Sequence, residues 1–446
     1  MWVRKLESTI VREIDDGGLI INSETGYSNT VNETGLLFMK AIDEHVQDTY
    51  AIALNLHNTF DGVEVETICD DLRDFFSDMA ESGFVAVAER KEDVEENALL
   101  SLHIDITSEC NERCIHCYIP NGTKNQCKRL SLQMFRLLVD DFVELGGKYI
   151  VLSGGEPLTH PDIMEMLWYC SKKNLETNIF SNLTLLSDSH IQMMKASHVS
   201  LVQVSVYSMN PDVHDAITQK RGALVKTLSA IEILRDEGLN VQVACPVMLQ
   251  NKNGVADIIR YVKQKGISLR INSLILPTTD GDETFIKTSA LTLEQKKNML
   301  CDMIEVDSTF TKEVLLEKNE NSIELCNNPK VFLNSSLCEA GVNSCSVSVD
   351  GYVCPCPKWQ SYHLGNIYEK RLTEIWHNNP LLSTIRRINR QKNFPECLNC
   401  EAIDYCKRCL KLNEQTSEFG ILRFSEENCK YAWMAKELFE LKDKNA

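Results

Sequence analysis

The sequence predicts an α/β protein whose centre is a parallel sheet of β-then-α units, either open or curled into a partial barrel. Three observations lead there. Six apolar runs of strand length alternate with amphipathic helical stretches between residues 99 and 310, as expected where each parallel strand is joined to the next by a helix. Residues 1–95 read as a smaller mixed unit ahead of them. Residues 338–446, behind them, are rich in cysteine and in loop.

The elements follow in order. Strand-like runs at 9–11, 19–22 and 27–31 are separated by DDGG and SETG, both turn signals. Asn32 stands as an N-cap before GLLFMKAIDEHV. A second helix sets Val65, Ile68, Leu72, Phe75 and Met79 at spacings of three and four, and Gly83 stops it before the strand FVAVA. Up to residue 90 there are 18 acidic and 6 basic side chains, two-thirds of the formal charge of −18. The six strands of the parallel domain are LLSLHIDIT, KYIVLS, TNIFS, LVQVSVYS, NVQVACPVM and LRINSLIL. In such a sheet, chemistry belongs at the C-terminal strand ends. Residues 311–337 read as a bridging segment, and helices are expected near 371–389 and 426–442.

Composition narrows the class. A chain of 446 residues with 43% apolar and 25% charged residues is globular and long enough for several domains. No run approaches the ~20 apolar residues of a membrane span, and MWVRKLESTI lacks a signal-peptide core. The expectation is a cytoplasmic protein with no membrane partner. Net acidity argues against a nucleic-acid partner. Eighteen cysteines stand out, because a long cytosolic chain keeps its thiols reduced. Cys69, Cys170, Cys245 and Cys301 sit singly and read as core thiols. Eight others crowd into 338–409 and three into 110–117, which reads as metal or iron–sulfur ligation.

The central motif is Cys110-x3-Cys114-x2-Cys117, directly after the first strand of the parallel domain. Three thiolates on a tight loop can hold three irons of a [4Fe–4S] cluster and leave the fourth open. Zinc would need a fourth ligand, and His116, squeezed between Cys114 and Cys117, is badly placed to be one. The triad resembles that of radical S-adenosylmethionine (SAM) enzymes, and downstream residues match in order. Gly154-Gly155-Glu156-Pro157 ends the second strand, where the resemblance implies that backbone and carboxylate receive the SAM ammonium. Asn182 follows the third strand, Ser205 stands at the ribose-contacting position after the fourth, and Asn251 follows the fifth. His116 is placed with these residues in the cofactor-binding set.

The C-terminal cysteines resemble the SPASM extension of radical SAM enzymes. Cys338-x12-Gly351-x4-Cys356 is followed by Cys397-x2-Cys400-x5-Cys406-x2-Cys409 and then Cys429, with one residue fewer than usual before the last clustered cysteine. The resemblance implies an outer auxiliary cluster on Cys397, Cys400, Cys406 and Cys429, and an inner one on Cys338, Cys356 and Cys409. For the inner cluster's fourth ligand Cys345 is favoured, with Cys354 or an open iron as alternatives. The cofactors expected are therefore three [4Fe–4S] clusters and SAM.

Residues 1–95 resemble the winged-helix-like leader-binding fold of the pyrroloquinoline quinone biosynthesis chaperone. They share the G-LIINSETG hairpin, the NETG helix start and a helix ending in Gly before a short strand. Together the resemblances imply a partial (β/α)6 TIM-like barrel over 99–310, a leader-binding unit before it and a SPASM domain over 338–446. That order resembles maturases of ribosomally made peptides, especially the thioether-forming sactipeptide and ranthipeptide synthases. The partners implied are a precursor peptide with a leader and a low-potential electron donor such as flavodoxin or ferredoxin. The alternatives are a carbon–carbon cross-linking maturase, a formylglycine-generating sulfatase maturase and a non-catalytic iron–sulfur redox protein. Against formylglycine chemistry, Pro357 stands where that family has an Asp base.

Overall fold

A computed structural model describes the chain except residues 7–8, 24–25, 44–45, 61, 89–97, 274, 276, 317–335, 378, 399, 407, 412–425 and 445–446. It divides into two compact units, Met1–Ala98 and Leu99–Ala446, each built on its own apolar core.

In the first unit, β1 (Trp2–Lys5) runs antiparallel between β5 (Gln47–Asp48) and β6 (Val85–Ala88). β2 (Thr9–Ile14), β3 (Gly17–Asn22) and β4 (Ser28–Val31) form a separate antiparallel meander. Asn32 caps the helix Glu33–Lys40 by accepting from the Gly35 amide at 2.8 Å, as residues with a short side-chain acceptor do. The helix Val65–Glu81 buries Ile68, Leu72, Phe76 and Met79. Phe76, one position past the expected Phe75, is its deepest aromatic. Gly83 ends that helix in the left-handed region, at φ +75°. Asn22 Nδ2 donates to Gly83 O at 2.9 Å and Thr9 Oγ1 to Phe84 O at 2.7 Å, tying the meander to the strand that follows.

The second unit opens with six parallel strands in chain order: β7 (Ser101–Thr107), β8 (Tyr149–Gly154), β9 (Glu176–Ser181), β10 (Leu201–Ser205), β11 (Val241–Pro246) and β12 (Ser268–Asn272). Helices including Leu132–Glu144, Ile163–Lys172, Asp188–Ala196, Ala223–Asp236 and Val255–Lys265 connect them. Leu102, Ile104, Ile150, Leu152, Ile179, Val202, Val204 and Val243 are fully buried between the layers. This is the partial (β/α)6 arrangement, with every strand's C-terminal end at the same rim. Cys170 and Cys245 are core thiols, as expected.

The sheet does not stop at β7. β13 (Ser344–Val347) pairs in parallel with its free edge, and β14 (Tyr352–Cys354) and β15 (Gly365–Asn366) add antiparallel to β13. The boundary expected at residue 338 is therefore crossed by one continuous sheet. A buried acid strengthens the same junction. Asp141, on the helix Leu132–Glu144, accepts two bonds from Arg371 Nε, at 2.7 and 2.9 Å, and one from the Leu372 amide at 2.8 Å. Of the expected bridging segment, the first residues belong to the helix Ser308–Leu316, and 317–335 lie outside the described residues. The helix expected at 371–389 is two, Leu372–His377 and Pro380–Ile388, because Asn379 caps a new start with Pro380 in its first turn. The last helix, Glu426–Lys444, packs Ala435 and Phe439 on Leu300 and Ile304.

Candidate active site and iron–sulfur ligands

The ten residues after β7 form the cysteine loop, and β8's end grips its start. Gly155 N donates to Thr107 O at 2.7 Å and Glu156 N to Glu109 O at 2.8 Å. A Cβ on Gly154, which sits at φ +128°, would lie 2.3 Å from Thr107 O, and one on Gly155 would lie 2.2 Å from Glu109 O. Only glycine permits so close a backbone approach. On the far side, Arg113 N and Ile115 N donate to Thr218 O and Ile217 O at 3.0 and 2.9 Å. The Cys117 amide closes a turn onto Cys114 O at 3.2 Å.

Cys110, Cys114 and Cys117 lie within electrostatic reach of one another. Burial pushes the Cys110 thiol up to about 12, and burial with Glu112 nearby pushes Cys114 well up. Such thiols become thiolates when a bound cation takes up their charge. The loop also holds two buried polar atoms without a partner among the described residues, Glu112 Oε1 and His116 Nδ1. Burial lowers His116 to about 4, so its ring is neutral, set edge-on to Tyr207.

Other expected cofactor contacts are turned to the protein itself. The fully buried Glu156 carboxylate accepts from Leu158 N, Ser181 Oγ and Asn182 N at 3.0, 2.6 and 2.7 Å. It thus welds the ends of β8 and β9 together and is already occupied by three donors. Asn182 donates to Asn111 Oδ1 at 2.9 Å and accepts from Thr184, bracing the cysteine loop. Asn251 donates to Tyr207 O and Pro246 O at 2.9 and 3.0 Å and accepts from Met248 N at 2.8 Å. Both its amide protons are taken up by backbone, so it shapes the rim where β10 and β11 end. Ser205, half-buried at the end of β10, interacts with the Tyr207 side chain.

The C-terminal cysteines fall into two groups. Cys397, Cys400, Cys406 and Cys429 act on one another, with Arg408 beside Cys397 and Cys406. Cys338, Cys356 and Cys409 form the other group. Asn389, fully buried, clamps its first member by accepting from Leu337 N and Cys338 N at 3.0 and 3.2 Å and donating to Cys338 O at 2.6 Å. Cys345 is not brought to this group. It lies on β13 in the main apolar core, 1% exposed, and among the described residues the thiol acting on it is that of Cys354. Cys354, at the end of β14, is the one that neighbours Cys356.

Among the described residues, no three His, Cys, Asp or Glu side chains converge as a single-ion site. A cubane needs no such convergence, because each thiolate binds a different iron. A cavity of about 150 Å³ is lined in part by Tyr118, Thr279, Glu283, Pro357, Gln360 and Lys411. Tyr118 follows Cys117, and Pro357 follows Cys356. Buried Asp105 joins the two sides, accepting from Tyr118 OH at 3.0 Å and Gln360 Nε2 at 3.3 Å.

The sequence profile of the radical SAM superfamily matches residues 104–262, which run from within β7 through the cysteine triad and past β11. The chain is a radical SAM enzyme. In this enzyme an iron–sulfur cluster-binding domain, SPASM, matches residues 338–401, and coenzyme PQQ synthesis protein D matches residues 17–85. The enzyme is 26% identical over 315 residues to the AdoMet-dependent heme synthase of Methanosarcina barkeri, covering 68% of this chain and 89% of that one. It is 24% identical over 321 residues to the antilisterial bacteriocin subtilosin biosynthesis protein AlbA of Bacillus subtilis, covering 68% and 66%. Its fold matches that of Streptococcus suis SuiB bound to precursor peptide SuiA, with TM-score 0.57, 16% identity and coverage of 96% and 99%. It also matches anSMEcpe with bound AdoMet, with TM-score 0.59, 20% identity and coverage of 78% and 93%. No helix among the enzyme's described residues is long and apolar enough to cross a membrane.

The site residues suit the cofactors of that family. Three mutually close, part-buried thiols are of the type that ligates iron, and two orphaned polar atoms share their loop.

Proposed function

We propose that this radical SAM enzyme matures a ribosomally synthesised precursor peptide by closing thioether links between a cysteine sulfur and a carbon of the same peptide. The observation that carries the reading is the N-terminal unit, a separately cored PqqD-type fold in which β4 lies at the outer edge of its sheet. An exposed strand edge can accept an extended peptide through main-chain hydrogen bonds, and side-chain pockets then add specificity. The relative named for subtilosin biosynthesis and the SuiB fold point the same way. Relatives named heme synthases match as large a share of the chain, so the shared part is neutral on substrate and the N-terminal unit favours a peptide.

When bound, SAM at the site cluster supplies a 5′-deoxyadenosyl radical that accepts a hydrogen atom from carbon, while the thiol proton goes to a base and the remaining electron to an auxiliary cluster. The proposed assignments are three [4Fe–4S] clusters: one on Cys110, Cys114 and Cys117, an outer one on Cys397, Cys400, Cys406 and Cys429, and an inner one on Cys338, Cys356 and Cys409. Electrons would come from a low-potential donor of the flavodoxin or ferredoxin type. The Gly154–Gly155 backbone, Ser205 and His116 would contact SAM, with Glu156, Asn182 and Asn251 shaping the rim around them. The cleft beside Tyr118 and Pro357 would admit the core peptide next to two clusters.

The reaction test uses reconstituted enzyme, SAM, dithionite and a cysteine-bearing precursor. The expected product has lost two hydrogens and one alkylatable thiol per link. Loss of two hydrogens with every thiol still alkylatable would instead indicate a carbon–carbon bond.

As the inner cluster's fourth ligand we favour Cys354, which neighbours Cys356, over Cys345, which lies in the apolar core. Cys345→Ala should leave iron content and cluster spectra unchanged and cost about 1 kcal/mol of stability, the scale of one buried methylene-sized group. Cys354→Ala should perturb the auxiliary-cluster spectrum while total iron stays near wild type, three ligands remaining. A changed spectrum in the Cys345 variant alone would restore the original order.

A further inference from the structure

The segment after the triad folds back over it. Pro120 leads into the short helix Asn121–Asn125, and Ser108 Oγ, at the root of the cysteine loop, donates to Thr123 O at 3.1 Å and accepts from Lys128 N at 2.9 Å. Arg113 Nη2, inside the loop, donates to Asn125 Oδ1 at 3.3 Å. At the centre of this cover is Lys124, 1% exposed and among the largest fully buried side chains of the chain. Its main chain is bonded, its amide to Pro120 O at 3.0 Å and its carbonyl from the Cys127 amide at 3.2 Å. Its ammonium has no hydrogen bond or ion pair among the described residues.

That is an anomaly in physical terms. Lysine is almost never fully buried without a partner, and an unpaired ammonium taken out of water costs several kcal/mol. The groups within its electrostatic reach are Cys110, Glu112, Cys114 and His116. Two of these are thiols of the proposed cluster site. A cubane held by three thiolates is an anion, and each added electron makes it more negative. A fixed cation beside it therefore favours reduction, by the same Coulomb attraction that would satisfy the cation.

We propose that Lys124 is the counter-charge of the cluster on Cys110, Cys114 and Cys117, and that it raises the potential at which that cluster takes up one electron from a low-potential donor. This rests on the assignment of the triad as the site cluster. Lys124 is then a positioning residue for charge and touches none of the reacting carbon or sulfur atoms. With only 1% of the residue exposed, the interaction is screened far less than that of a surface lysine would be.

The test is a redox titration of anaerobically reconstituted full-length enzyme without SAM, followed by the reduced site cluster's paramagnetic resonance. That signal is identified by its change when SAM is then added. If wild type shows no SAM-sensitive signal, the triad's assignment itself fails, whatever the lysine does. Given that signal, Lys124→Met and Lys124→Gln should each disfavour reduction at least tenfold, which is 59 mV for a one-electron couple. Lys124→Arg should stay near wild type. Loss of iron from both neutral variants while the Arg variant keeps it would show the same charge requirement through occupancy. An unchanged potential in an iron-replete neutral variant would overturn the proposal. If that variant also bound SAM more weakly, the lysine would serve the SAM carboxylate instead. Loss of iron from all three variants, Arg included, would overturn it too, by showing that shape and not charge is needed.

Discussion

Replacing Cys110, Cys114 and Cys117 together by Ala should remove about four of about twelve irons per reconstituted chain and reduce SAM cleavage to background. Iron analysis and quantification of 5′-deoxyadenosine read the two outcomes separately. The effect should be confined to the site, because the loop is held by backbone bonds. Gly155 and Glu156 amides grip its start, and Arg113 and Ile115 amides grip its middle, and none of these needs the thiols. The variant should therefore keep its secondary structure and its eight or so auxiliary irons. Unchanged iron content would mean that the triad holds no cluster, and the assignment would be lost.

The second large effect concerns the N-terminal unit. Removing residues 1–95 should leave dithionite-driven SAM cleavage close to wild type while modification of full-length precursor falls at least about a hundredfold, some 2.7 kcal/mol. The remaining unit can fold by itself, since the core built on β7–β12 contains no residue before Leu99. Binding energy from a leader distant from the reacting atoms is what would hold the core peptide at the site, so its loss appears in the rate as well as in affinity. Supplying the excised unit in trans should restore little, because tethering raises its effective concentration. A truncated enzyme that processed precursor at the full rate would make this unit a bystander.

The parallel strands and the cysteine groups are legible in the sequence because they rest on local signals: alternating apolar runs, spacing between thiols, glycines before an acid. Features that depend on distant partners are not. β1 and the helix Thr49–Leu56 carry too few residues to show a period, and their pairing and packing depend on partners distant in sequence. Asn389 and Asp141 look like ordinary surface polar residues until Cys338 and Arg371 arrive beside them. Cys345 reads as a ligand by proximity to Cys338 in sequence, yet β13 carries it into the apolar core. Lys124 sits in NGTKNQ, a stretch whose composition says solvent-exposed turn, and only the fold over Ser108 and Arg113 buries it. Glu156, Asn182 and Asn251 are in the expected places, but their side chains are occupied by the protein's own backbone and neighbours, a distinction that motif matching cannot draw.

The pairing of β13 with β7 bears on how the protein can be made. Until Ser344–Val347 leaves the ribosome, the nascent chain displays an uncapped parallel edge at β7, flanked by the apolar face of Leu102 and Ile104. An open apolar strand edge is a template for pairing with other chains, and closing it requires a contact between distant parts of the sequence, which forms slowly. Translation intermediates that stop near residue 337 should therefore be aggregation-prone even with all six barrel strands present. Heterologous production should improve with slower synthesis, lower temperature or added chaperone more than with any change to the barrel itself.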